Sequence, residues 1–207
     1  PIVKPYAYIR ILYDNKNHEY IYEVIEPKLS VEERKLLDFI KDTLLKTMDI
    51  ELSEFTEEEA REYLRNNVER IIRDYSISID DVTKEKIMYY IIRDFLGYGK
   101  IDVLMKDPMI EDISCDGPGV PIFIYHRNYE SVKTNIIFQT EAELDSFVIQ
   151  LAQKCGRHIS IARPLLDATM PDGSRLQACL AREVSSMGSN FTIRRFREEP
   201  FTPTHLV

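Results

Sequence analysis

The stretch GRHISIARPLLDATMPDGSRLQACLAREVSSMGSNFTIRRF, residues 156–196, decides the fold of the second half of the chain. The turn residues Pro171-Asp172-Gly173 precede an alternating run at 175–180, and a second turn at 185–189 precedes the run 190–196. Alternation of apolar and polar residues between turns predicts two β-strands. Arginines project from both predicted strands, so this part of the sheet is expected to have a basic face.

Residues 157–197 contain seven arginines, no lysine and three acidic residues, a net charge of +4 in a chain of net charge −8. Arginine has a planar set of donors that matches phosphate, which lysine lacks. This pattern indicates a phosphate-binding surface. The alternative is that the arginines are solvated or pair with neighbouring carboxylates, and Asp167 is more plausible in such a pair than in catalysis.

The N-terminal part of the chain predicts a β-hairpin followed by helices. Two runs rich in Tyr, Ile and Val, residues 5–13 and 19–25, flank the polar residues 14–17. Such runs, separated by turn residues, are typical of a hairpin.

Three amphipathic helices are predicted between residues 30 and 96. Capping-box pairs, Ser30 with Glu33 and Thr56 with Glu59, begin the first two helices. The third begins near residues 81–83, with Gly97 as its expected C′ residue. Residues 30–96 hold 17 acidic and 11 basic residues, so this helical part is acidic, unlike the arginine-rich stretch.

The chain after Gly97 predicts an antiparallel sheet. Residues 120–126 and 132–138 have the composition of strands, and Thr140 with Glu143 begins a helix over 141–155. With the two arginine-bearing strands, this half is expected to be a curved, mostly antiparallel sheet with at least one helix on a face. The fold class is therefore α+β.

Composition excludes several classes of function. A pI near 5.1 argues against general nucleic-acid binding, which needs a broad basic surface. Three widely spaced cysteines indicate reduced thiols in a cytoplasmic protein, and no cysteine–histidine spacing indicates a metal site. The sequence contains no G-x-x-x-x-G-K-[ST] loop and no catalytic triad order, so no complete active site is predicted.

Specific motifs begin at residue 97. GYGKIDVLMKDPMIEDISCDGPGVPIFIYH, residues 97–126, resembles the pattern G-x-G-x-I-D-x-L-[LM]-x-D-P-x-I-E-D-I-x-x-x-G-P. That pattern introduces the N-terminal domain of archaeal secretion-type hexameric ATPases, the family of type II and type IV secretion, pilus assembly and the archaellum motor. The stretches 134–138, 151–177 and 188–203 continue the resemblance in the same order.

The resemblance implies a division of the chain. Residues 1–96 would form the hairpin with the acidic helical subdomain, and residues 97–207 a PAS-like α/β domain. In the family a RecA-like motor domain comes next, with the Walker motifs that hold ATP. The chain ends at residue 207, where that domain would begin, so we expect an N-terminal fragment that does not hydrolyse ATP by itself.

The resemblance also implies a binding role. In the family, arginines of the N-terminal domain reach toward the phosphates of ATP and its Mg at the junction with the motor domain. The matching positions are Arg175 and Arg194, with Arg195 as a close rival. Their role would be to bind the γ-phosphate and sense its loss. No catalytic residue and no metal ligand of this chain itself is predicted.

The same resemblance implies partners. We expect a homo-hexamer in the full-length protein, a monomer or weak oligomer for this chain, and docking of a membrane platform protein or an accessory ring protein on the acidic helices. The location would be cytoplasmic, at the cytoplasmic face of the membrane. The main alternative is a stand-alone PAS-like sensor or docking module. Nucleic-acid binding by the arginine strands is opposed by the negative net charge.

Overall fold

The computed structural model describes residues 2, 5–49, 51–180 and 188–197. It has five α-helices and eight strands among these residues. The helices are α1 Val31–Thr47, α2 Glu57–Asp74, α3 Asp81–Leu96, α4 Asp102–Lys106 and α5 Glu141–Lys154. The strands are β1 Tyr8–Asp14, β2 Glu19–Ile25, β3 Ile110–Cys115, β4 Pro121–His126, β5 Glu130–Ile137, β6 Leu165–Thr169, β7 Arg175–Cys179 and β8 Asn190–Arg194.

The described chain falls into two compact units. One lies within residues 1–8 and 25–106, and the other within 9–24 and 107–207. The hairpin residues 9–24 thus group with the sheet, while the three long helices form the core of the other unit. The division predicted at residue 96, and the PAS-like assignment of residues 97–207, stay predictions.

Local capping begins the three long helices of the first unit. Ser30 and Glu33 form a complete capping box at α1, and the side chains of Thr56 and Asp80 accept from the backbone N–H three residues on. Behind these caps, α1 and α2 each bury one apolar stripe, whereas α3 buries the consecutive residues 87–91 and so is covered on more than one face. The fully buried members include Ile40, Leu44, Leu64, Val68, Ile87 and Ile91.

Gly97 ends α3 for a reason other than the predicted one. Its φ is −99°, so it does not adopt the left-handed conformation of a C′ glycine. Instead, a Cβ built on Gly97 would lie 2.3 Å from the Asp102 Oδ1 and 2.8 Å from the Arg93 carbonyl oxygen. The position requires glycine because the buried Asp102 side chain, which accepts from the Tyr98 N–H, passes directly over it.

The second unit is built on one eight-stranded sheet of order β1-β2-β5-β4-β3-β8-β7-β6, of which only the end residues Tyr8 and Ile25 fall in the first unit. Its pairings over β5-β4-β3-β8-β7-β6 are antiparallel, and β2 pairs parallel with β5. The Asn135 side chain supports the parallel pairing, since it accepts from the Val24 N–H at 2.8 Å and donates to the Val24 carbonyl at 3.0 Å. The expected mostly antiparallel α+β fold is confirmed, and the sheet includes the N-terminal hairpin.

One face of the sheet is apolar and packs on α5. Phe138, Phe147 and Phe191 form an aromatic cluster there, with ring centroids 4.7–6.2 Å apart. Alternate residues of β6, β7 and β8 point to this face and are buried, and most of the residues between them are polar and exposed; the exceptions are the exposed Leu165, the buried Cys179 and the half-buried Asn190. The second face of these strands is therefore an open polar surface, on which arginine and aspartate side chains are displayed.

Candidate anion-binding site

Two arginines and two aspartates form a row across four neighbouring strands of the open face. Asp167 is on β6, Arg175 on β7, Arg194 on β8 and Asp112 on β3. Arg175 and Arg194 are direct register partners, and Arg194 is in turn the register partner of Asp112. We call these four residues the arginine row.

Arg175 is held by a two-point contact with Asp167. The Arg175 Nε and Nη2 donate to the two Asp167 carboxylate oxygens, each at 3.0 Å. Both side chains remain exposed, at 67% and 50% of their areas. The guanidinium lowers the pKa of Asp167, chiefly through these hydrogen bonds, and the carboxylate raises the pKa of Arg175 in return. The predicted pairing of Asp167 with a neighbouring arginine is present.

Arg194 is held much more loosely. Its Nε lies 3.5 Å from the Asp112 Oδ1, and its side chain is 82% exposed. In antiparallel sheets, side chains of directly opposed residues are close neighbours, and opposed like charges repel each other. The neighbouring guanidiniums of Arg175 and Arg194 therefore raise the local positive potential between the two flanking carboxylates.

The structure separates Arg194 from Arg195, the two rivals for the second phosphate contact. Arg195 comes after the end of β8 and is half-buried. Its Nη1 lies 3.5 Å from the Asp107 carbonyl oxygen, and its backbone N–H donates to the Glu111 carbonyl. Arg194 shares the exposed face with Arg175, and Arg195 is directed toward other groups.

The remaining arginines of the stretch lie outside the row. Arg157 and Arg163 are exposed on the segment before β6, and the positive charge of Arg157 contributes to the lowered pKa of Asp167. Arg197 pairs with Glu111. Arg182, residues 185–187 of the turn predicted at 185–189, and the motif residues 198–203 lie outside the described residues.

A tight turn before β7 sets the position of the row. Gly173 has a φ of +88°, a conformation that glycine adopts without strain. The turn buries Ser174, whose hydroxyl donates to Asp172 and accepts from the Phe196 N–H at 3.1 Å. Ser174 thus ties the start of β7 to the end of β8, which places Arg175 and Arg194 side by side.

The chemistry available here is anion binding. Two neighbouring guanidiniums offer forks of N–H donors that suit phosphate, sulfate or carboxylate. Within the part of the chain that the structure describes, no group of three His, Cys, Asp or Glu side chains could hold a metal ion, and no helix there has the length and apolarity to cross a bilayer.

Sequence reasoning missed two contributors to the site. Asp112 lies inside the E-D-I motif of residues 111–113, and Ser174 comes directly after the turn residues Pro171-Asp172-Gly173. Both positions belong to recognisable motifs, but only strand pairing shows that Asp112 neighbours Arg194 and that Ser174 contacts Phe196.

No protein-family model matches the chain. Three proteins of Methanocaldococcus jannaschii, each called uncharacterized, are similar to it. MJ1288 is 45% identical over 181 residues, which is 87% of this chain and 72% of MJ1288. MJ0900 is 32% identical over 205 residues, and MJ0781 is 30% identical over 190. The chain spans only 37% of MJ0900 and 25% of MJ0781.

Among solved structures, the VirB11 ATPase from the Brucella suis type IV secretion system, crystallised in complex with sulphate, resembles part of the chain. The likeness covers 51% of this chain and 32% of VirB11, with 22% sequence identity and a TM-score of 0.42.

Proposed function

The chain belongs to the same family as the uncharacterized M. jannaschii protein MJ1288, and we propose that it is the regulatory, arginine-donating half of a secretion, pilus or archaellum motor ATPase. The ordered motifs of residues 97–203 suggested this role from sequence. The observation that supports it is the arginine row, in which Arg175 and Arg194 lie on neighbouring strands of an exposed face.

In the proposed mechanism, the two arginines bind the terminal phosphate of ATP, whose remaining contacts and Mg come from a RecA-like domain. Hydrogen bonds between charged groups are stronger than neutral ones, and they strengthen further when water is excluded. The contact exists only while the domains are closed on the γ-phosphate. Its loss after hydrolysis would shift the equilibrium between domain arrangements and so move a bound partner.

That mechanism implies the proposed partners. The intact protein would act as a homo-hexamer at the cytoplasmic face of a membrane, and the acidic helices α1–α3 would dock a platform protein or an accessory ring protein. The acidic excess of residues 30–96 suits a basic partner surface.

A titration with a fluorescent ATP analogue tests the proposal. The ligand is added to the 207-residue chain and to the protein encoded by the complete gene, each as wild type, Arg175→Ala, Arg194→Ala and Arg195→Ala. We expect tight binding only in the complete protein. There, Arg175→Ala and Arg194→Ala should each weaken the binding at least about tenfold. Unchanged binding of Arg175→Ala and Arg194→Ala would contradict the proposal, and loss with Arg195→Ala alone would reassign the second contact.

A second function, a stand-alone sensor or docking module, is favoured by the length of one relative. Because this chain spans 72% of MJ1288, the rest of that protein is less than half as long as the aligned part. A domain is typically about 100–150 residues, and a RecA-like motor would not fit in that remainder. Tight binding of the nucleotide analogue by the 207-residue chain alone would favour this second function.

A further inference from the structure

The contact between Arg175 and Asp167 uses one particular edge of the guanidinium. Asp167 accepts from Nε and Nη2, the side edge of the fork. The end edge, formed by Nη1 and the second Nη2 hydrogen, is not used by Asp167. A carboxylate on one edge and a phosphate on the other can therefore share the five donors of one arginine.

Asp167 also lies on the favourable side of Arg175. It belongs to β6, on one flank of β7, and Arg194 belongs to β8, on the other flank. A phosphate placed between the two arginines would thus not need the position that Asp167 occupies.

We propose that Asp167 is a positioning residue, which fixes the Arg175 guanidinium so that its end edge and Arg194 bind one phosphate group together. The inference rests on the proposed phosphate-binding role of the two arginines. In this arrangement Arg175 is the ordered contact. Arg194, with its one longer contact to Asp112 and its 82% exposure, is the adaptable contact.

Asp167 has two opposite effects on phosphate affinity: it orders Arg175, and its negative charge repels the phosphate. The larger of the two decides whether removing Asp167 weakens or strengthens binding. Ordering an arginine in advance spares the loss of rotamer freedom on binding, which corresponds to about threefold to tenfold in affinity. The negative charge of Asp167 repels the phosphate, but that repulsion acts across solvent and is screened by salt. Positioning should therefore be the larger effect.

Asp112 supplies the matched control. It is the aspartate beside Arg194 at the other end of the arginine row, and its removal changes the net charge of the row by the same amount. Its single 3.5 Å contact with Arg194 fixes no guanidinium edge. Removing Asp112 should therefore show the effect of charge without the effect of positioning.

The experiment is calorimetric titration of the 207-residue chain with inorganic pyrophosphate at low ionic strength, where the attraction between exposed charges is least screened. We expect Asp167→Ala to bind about threefold to tenfold more weakly and Asp167→Glu to recover most of the affinity. We expect Asp112→Ala to bind somewhat more tightly than wild type, because a repulsive charge is removed. Arg175→Ala and Arg194→Ala should each bind more weakly than any aspartate variant.

The outcomes separate this inference from the proposed function. If both arginine variants lose binding while Asp167→Ala binds as tightly as Asp112→Ala, Asp167 has no positioning role and the phosphate site stands. If the arginine variants bind like wild type, or wild type binds no pyrophosphate, both the phosphate site and the role of Asp167 are wrong. Thermal unfolding of Asp167→Ala beside wild type shows whether the variant is folded.

Discussion

Two exposed arginine–carboxylate pairs stand at opposite ends of the same sheet, and they differ in their neighbours. At one end, Arg10 of β1 donates from Nε to Glu23 of β2 at 2.7 Å. At the other end, Arg175 pairs with Asp167, and a second arginine, Arg194, lies directly opposite on β8. An isolated exposed pair contributes little to stability and has no excess charge. At the Arg175 end each arginine is likewise matched by an aspartate, but the second arginine places two guanidiniums side by side, where one anion can contact both.

The two ends also differ in what lies beneath the surface. At the hairpin end, the buried Tyr22 hydroxyl donates to the buried Asp107 carboxylate at 2.6 Å, and His126 is packed beside Tyr22 with ring centroids 6.3 Å apart. At the other end, the corresponding buried polar contact is made by Ser174, whose hydroxyl accepts from the Phe196 N–H. Stability should therefore depend most on the hairpin end, and ligand binding on the arginine row.

The largest expected difference between the ends concerns nucleotide binding. In the protein encoded by the complete gene, the double variant Arg175→Ala/Arg194→Ala should bind a fluorescent ATP analogue at least about a hundredfold more weakly, because two charge-assisted contacts are lost. Arg10→Ala should bind like wild type. A similar loss in Arg10→Ala would show that the contrast between the two ends is wrong.

The second prediction concerns stability. Tyr22→Phe should lower the free energy of unfolding by about 1.5–3 kcal/mol, because the buried Asp107 carboxylate loses a hydrogen bond. Burial and the adjacent carboxylate raise the pKa of Tyr22, so this hydroxyl remains a donor over the usual pH range. Urea unfolding measures the change, with the exposed Tyr125→Phe as the control. Equal stability of the two variants would contradict the importance of the buried contact.

A smaller effect on the free energy of unfolding is expected from a change of pH, through His126. Burial lowers the pKa of His126, although the Asp107 carboxylate opposes this, and the His126 Nδ1 accepts from the Asn128 N–H at 3.1 Å. The folded state thus favours neutral histidine. Its contribution is present above the ordinary histidine pKa of about 6.5 and is lost as the pH falls through the lowered pKa.

Urea unfolding between about pH 7.5 and 5 should show this loss of stability in wild type, and His126→Gln should reduce the slope. The exposed His158→Gln is the control and should keep the wild-type slope. If the slope is unchanged in His126→Gln, the pH dependence comes from other groups.

The smallest effect is expected from the exposed pair at the hairpin end. Glu23→Gln should leave the thermal midpoint within experimental error of wild type, since Arg10 and Glu23 are solvated and screened. A clear fall in the midpoint would mean that this pair contributes to the register of β1 on β2.

Much of the local structure could be predicted from the sequence. The capping residues Ser30, Thr56 and Thr140 begin helices where expected, because a cap depends on residues three apart. β4 and β5 were predicted to within a few residues from their strand-type composition, and β7 and β8 from alternation between turns. β3 and β6 were not predicted as strands, although Ile110–Cys115 and Leu165–Thr169 are each followed by turn residues.

For the candidate site, the sequence determined the types of residue and tertiary structure determined their neighbours. The excess of arginine in residues 157–197 and the motifs around Arg175 and Arg194 are properties of the chain itself. The sequence could not show that Asp167 holds Arg175, or that Asp112 neighbours Arg194. Those contacts join residues on different strands, and a shift of one residue in register would turn the side chains to the other face.

The hairpin illustrates the same limit at the level of the fold. Residues 5–25 determine two strands and a turn by themselves. Their place at the edge of the sheet depends on the parallel pairing of β2 with β5, more than a hundred residues later, and on the Asn135 side chain that bonds to Val24. Local patterns fix strands and caps because they act over a few residues, whereas long-range pairing is selected by the packing of the whole sheet.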